Sequence, residues 1–161
     1  MERDVVHDVA TFAQSRLHSP YSLEGLTELE ADVLGTVTAM GIIGNGGLIV
    51  WFEGMGTEDT LGVASSFERM GLSEVASAMR RALEVFPGGK VIPDFAERRA
   101  YLSEHRDELA ARFEPLDTAV WNTDYDAVTA RYIASRRSDL LVLGPRFGAL
   151  LDRYDALDRA R

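Results

Sequence analysis

The chain has no cysteine, one lysine (Lys90), three histidines and no long apolar run. Without cysteine there is no disulfide, no thiolate metal ligand and no thiol nucleophile. His7, His18 and His105 stand far apart, and no HExxH spacing occurs. His105 has Glu104, Asp107 and Glu108 beside it. That is the pattern of a charged helix face, whereas a metal site needs converging ligands at set spacings. Asp117, Asp124 and Asp126 lack the glycine and terminal glutamate of a calcium loop. The serines have no GxSxG context, and neither GxGxxG nor a phosphate loop ending in GK[ST] is present. No stretch approaches the ~18 continuous apolar residues of a membrane span, and Met1-Glu2-Arg3-Asp4 is not the basic start of a signal peptide. No catalytic residue, metal site or cofactor is therefore expected. The reading is a cytoplasmic, non-enzymatic protein.

What is present is ordinary globular composition, with 46% hydrophobic and 27% charged residues. A length of 161 residues is enough for one domain with a core that needs no staples. The net charge of −9 is unevenly spread. Residues 1–68 hold 11 acids against Arg3 and Arg16, and the remainder holds 15 acids and 15 bases. A negative field of this kind repels nucleic acid and anionic membrane and favours basic partners.

Periodicity is helical nearly throughout, which predicts an all-α single domain of about eight helices. Val5, Val6, Val9, Phe12 and Ala13 form a first stripe, ended by Pro20. Leu26, Leu29, Val33, Val37 and Met40 predict a second helix over 23–41, capped by Ser22. On it Glu24, Glu28 and Asp32 recur every four residues and are expected in one exposed row, a strip that meets cations. Gly44-Asn45-Gly46-Gly47 reads as a turn-forming joint, followed by a short buried helix with Leu48, Trp51 and Phe52. Thr57 and Ser73 read as caps of two further helices, and Gly71 as the end of the first of them. Asp94 with Glu97 predicts a helix over 94–112, broken near Ser103. Pro115 is expected at the first position of a short helix carrying Leu116, Val120 and Trp121. Asp124 caps the next. Leu140-Leu141-Val142-Leu143 reads as a strand-like tie or buried connector, and a last helix is expected over 146–160.

Three segments taken together resemble a known family. They are Asn45-Gly46-Gly47 with Trp51-Phe52, Phe86-Pro87-Gly88-Gly89 with Arg98-Arg99, and Leu116-Asp117 with Trp121. Their order and spacing are similar to those of the bacterial DNA-mimic protein nineteen family, over about residues 30–135. The resemblance implies an all-helical, acidic, dimeric and cytoplasmic protein. It also implies a partner, a basic protein such as a DNA-binding transcription regulator, with no direct contact to nucleic acid or membrane. The matched motifs read as determinants of the fold. Arg80, Arg81, Arg98 and Arg99 interrupt any acidic face in the middle of the chain. Glu24, Glu28, Glu30, Asp32, Glu58 and Asp59 are therefore the candidate partner-binding residues. Two alternatives stand beside this reading. One is a small-molecule-binding or enzymatic domain with a pocket near the glycine-rich joint. The other is an immunity-type protein that neutralises a basic toxin.

Overall fold

The computed structural model describes residues 2–17, 25–144, 147–149, 152 and 155. Among these the chain is all-α, with no strand. The helices are α1 (Glu2–Arg16), α2 (Glu28–Gly54), α3 (Thr57–Arg69), α4 (Ser73–Leu83), α5 (Phe95–Glu104), α6 (Arg106–Trp121), α7 (Tyr125–Ser135) and α8 (Arg137–Leu143), with a short 3-10 turn at Pro87–Gly89. Of the predicted helix at 146–160, the described residues 147–149, 152 and 155 are helical and the others lie outside the described residues. The expected break and cap at Pro20 and Ser22 also lie outside them.

Packing gathers the chain into two units. Unit 1 joins Met1–Val37 to Asp124–Arg161, and unit 2 is the contiguous segment Thr38–Thr123. In unit 1, α1 packs along α7. The apolar stripe of α1 (Val5, Val6, Val9, Ala13) is buried, as are Leu29, Val33, Ala130, Ile133 and Leu140. Phe12 meets Phe147 edge-on at 5.2 Å. In unit 2, α4 packs on α3 and α6. Its core centres on Phe52, which meets Phe86 edge-on at 4.9 Å and stacks on Phe113 at 5.6 Å. Each such side chain, fully buried, contributes roughly 1.5–3 kcal/mol.

Several expectations are corrected. The predicted helix over 23–41 is the first part of α2, which starts at Glu28, kinks at Gly46 and Gly47 within the expected joint, and continues to Gly54. Gly41 and Gly44 lie inside it, and Asn45 forms no turn there; its Nδ2 donates to the Gly41 carbonyl at 2.8 Å. Glycine costs ~1 kcal/mol in a helix, and burial of Leu48, Trp51 and Phe52 in the next two turns offsets it. The backbone leaves helical geometry at Gly46 and Gly47 only. By length and composition alone α2 is also long and apolar enough to cross a membrane, a criterion that the core helix of a soluble protein meets equally.

The predicted break near Ser103 falls at His105, between α5 and α6. Pro115 does not start a helix but sits inside α6. Its ring deprives the Ala111 carbonyl of a helical donor, and Ala111 and Pro115 are both exposed, on a side of the helix open to solvent. Residues 140–143 are neither strand nor connector; they belong to α8, which ends at Gly144 with φ of 155°. Thr57 and Ser73 are the first residues of their helices, flanked by Gly56 and Leu72. Asp94, Asp124 and Gly71 stand where expected, with the Asp94 carboxylate accepting from the Glu97 N–H at 2.9 Å.

Candidate functional site

The predicted acidic strip does not form as a row. Glu24 lies outside the described residues, and Glu30 and Asp32 are both 0% exposed. Glu30 is turned inward by its place in the first turn of α2. The Thr27 N–H donates to its Oε2 at 2.8 Å, and its own N–H donates to Thr27 Oγ1 at 3.3 Å. This reciprocal pair is a capping box. Arg16 then grips both oxygens of Glu30 at 2.6 and 2.7 Å and reaches the Gly25 carbonyl at 3.1 Å. The Thr27-x-x-Glu30 spacing was the signal in the sequence that would have placed Glu30 inside.

Asp32 is held from further along the chain, where the Tyr132 hydroxyl donates to its Oδ2 at 2.8 Å. Burial, and then the Asp32 carboxylate, push the Tyr132 phenol well above its ordinary range. Tyr125 nearby shares a hydrogen bond with Thr36 at 3.0 Å and is pushed up to about 12, mainly by burial. Of the two described members of the row, Glu28 remains exposed, and it accepts from Arg136 at 3.2 Å. Arg136 also bonds Asp139 at 2.6 Å. No sequence spacing marks these partners, which stand about a hundred residues away from Asp32 and Glu28.

Glu58 and Asp59 are exposed in the first turn of α3, as expected. Asp59 turns back to accept from the Gly56 N–H at 2.8 Å. The other exposed carboxylates of unit 2 lie outside residues 1–68 apart from Glu68, which Arg80 and Ser73 hold below the usual carboxylate range. They include Glu104, Asp107, Glu108 and Glu114 along α5 and α6. Across unit 2, 11 acids face outward against seven basic side chains.

The glycine-rich stretch is a site of a different kind. An unbroken helix would pair the Ile43 carbonyl with the Gly47 N–H, and the Gly44 carbonyl with the Leu48 N–H. The departure at Gly46 and Gly47 disturbs both pairings, and two side chains one turn apart on α6 serve the same groups. Asp117 Oδ1 accepts from the Leu48 N–H at 2.7 Å, and Trp121 Nε1 donates to the Ile43 carbonyl at 3.3 Å. Gly47 has φ of 75°, and a Cβ there would stand 2.6 Å from Asp117 Oδ2. Burial pushes the Asp117 carboxyl above its ordinary range, and the Leu48 hydrogen bond pulls the other way. Trp121 is 54% exposed because its N–H edge, not its ring, reaches the backbone.

The remaining motif residues have structural work. Trp51 Nε1 donates to Thr60 at 3.0 Å, and Phe52 and Phe86 are core. Pro87 begins the 3-10 turn, and Gly88 takes φ of 69° within it. Arg98 is buried and points its guanidinium at the carbonyls of Gly54, which ends α2, and of Met55 just after it, at 3.5 and 3.4 Å. This is the favourable end of a helix for a cation. Arg99 is exposed, with its guanidinium over the Phe95 ring.

An open depression of about 450 Å³ lies away from the glycine stretch, lined by Thr57, Glu58, Pro87 and Lys90–Pro93. Among the described residues, no three His, Asp or Glu side chains are grouped to hold a metal ion.

No curated protein and no solved structure matches the chain. Residues 24–136, which carry Asp117, Trp121 and the glycine break, match the DMP19-like protein family, and the chain belongs to that family.

Proposed function

We propose that the chain is a non-enzymatic, cytoplasmic interaction protein that engages a basic, DNA-binding partner through outward carboxylates. The observation that carries this reading is the negative excess on the outside of unit 2, 11 exposed acids against seven exposed bases. Glu58 and Asp59 remain in the proposed surface. The exposed acids of α5 and α6 join them, and Glu30 and Asp32 leave it. Exposed Arg99, Arg106 and Arg112 divide the field. Duplex DNA, by contrast, carries one charge per ~1.7 Å of axis without interruption. The surface therefore fits a basic protein better than it copies the full footprint of a duplex.

The test is capture of partners from native lysate at low salt, followed by affinity measurement as salt is raised. A basic DNA-binding protein is expected, released by salt and by competing duplex DNA. Reversing Glu58, Asp59, Glu104 and Asp107 to Lys is expected to abolish capture. Recovery of no basic protein, or capture indifferent to the reversal, overturns the reading.

A further inference from the structure

Among the described aromatic residues with at least partial exposure, or at a polar edge, Tyr101 lies against the His105 ring at 4.6 Å, and the other four separate into two groups. Arg16 lies over Phe12 at 5.9 Å, Arg98 and Arg99 lie over Phe95 at 5.7 Å each, and Arg136 lies over Tyr132 at 5.7 Å. The chain covers these rings with its own guanidinium groups. Trp121 differs: among the described residues no Arg or Lys lies over its ring, although it is 54% exposed. Indole is the strongest of the three aromatic types as a cation acceptor.

The setting of Trp121 favours a cation from outside. The Nε1–H bond to the Ile43 carbonyl ties the polar edge inward and holds the ring in a set orientation. Trp121 is the last residue of α6, where the helix end is partially negative, and the last turn of α6 has no basic residue to offset it. More than half of the Trp121 surface is open to solvent, so a flat group has room to approach, and a guanidinium combines flatness with charge.

We propose that Trp121 is the anchor on which an arginine of the basic partner stacks. The inference rests on the acidic-interaction reading above and assigns it an anchoring residue. An oriented, already ordered tryptophan is the residue type that concentrates binding energy at interfaces.

The test uses the full chain with nona-arginine and nona-lysine peptides, read by tryptophan fluorescence and acrylamide quenching. Trp51 is only 2% exposed, so quenching in the free protein reports Trp121. Saturating nona-arginine is expected to lower the quenching constant at least twofold and to bind about fivefold more tightly than nona-lysine. Trp121→Ala is expected to remove that preference, because carboxylates alone remain to distinguish the peptides. Trp121→Phe keeps a ring and is expected to retain part of it. Circular dichroism confirms that each variant is folded, and the wild-type quenching result stands without either.

If nona-arginine binds but leaves quenching unchanged, the anchor is wrong and the acidic-interaction reading survives. If neither peptide binds, both fail. If light scattering shows that Trp121→Ala turns a dimer into a monomer and free Trp121 is already shielded, a second copy occupies the ring and the anchor is overturned.

Discussion

The two units spend their carboxylates in opposite ways. Unit 1 has 13 acids and nine bases, and unit 2 has 13 acids and eight bases, so their net charges are similar, −4 and −5. In unit 1 six of the described acids are turned inward or paired. Arg16 holds Glu30, Tyr132 holds Asp32, Arg136 holds Glu28 and Asp139, and Arg137 holds Asp152 and Asp155. In unit 2 Asp117 is the buried exception, and most other acids face solvent. A count along the chain puts all the excess in residues 1–68, but folding redistributes it. From the far end of the chain, Arg136 reaches Glu28 in the acid-rich start of unit 1. Equal net charge therefore says little about which surface is available; the supply of partners within each unit decides that.

The largest expected effect strikes the inward exception of unit 2. Gly47→Ala places a Cβ at a left-handed φ and against the Asp117 carboxylate. It is expected to cost about 3 kcal/mol in urea unfolding. Next is Arg16→Ala, which strips Glu30 of its cation. Removing one partner of a fully buried pair costs about 3–5 kcal/mol, and Arg16 is partly exposed, so about 2 kcal/mol is expected after screening. A loss no larger than that of a surface change would end the contrast between the units.

A smaller effect is read through pH. The Asp117 carboxyl is raised in the folded state, so the folded chain holds its proton more firmly than the unfolded chain. Its contribution is complete below the unfolded value of about 4 and is lost as pH rises through the folded value. Wild type should therefore lose stability relative to Asp117→Asn as pH is raised from about 4 towards neutrality. A constant difference across that range would mean that burial of Asp117 has no energetic consequence.

The smallest change in stability is expected for Glu104→Gln with Asp107→Asn, within about 0.5 kcal/mol. The same double variant should weaken capture of the basic partner measurably. If its thermal midpoint falls as far as that of Arg16→Ala, unit 2's outer carboxylates are structural too.

Helical class was legible because apolar spacing is a local property, and so were the caps at Asp94 and Asp124 and the helix end at Gly71. The fate of the acids was not. Four-residue spacing places Glu28 and Asp32 on one helix face, but says nothing of Tyr132, which covers Asp32 from 100 residues away. The inward turn of Glu30 was written locally, in Thr27-x-x-Glu30, and was outweighed by the charge count. Pro115 misled because its usual place at a helix start yields when the deprived carbonyl lies on a side of the helix open to solvent. The family segments were legible as motifs. Their mutual reason was not, because Asp117 and Trp121 make sense only when α6 lies along the glycine break.

The discontinuity of unit 1 has a consequence for synthesis. Unit 2 is complete once residue 123 has emerged, whereas α1 must wait for α7. At ~5–20 residues per second, that interval is roughly 5–20 s, during which Val5, Val6, Val9 and Ala13 have no native surface to bury against on α7. Slowing translation between the codons of residues 17 and 124 lengthens that exposure without altering the finished protein. A cell short of holdase chaperones would register the delay as lost yield, at unchanged equilibrium stability.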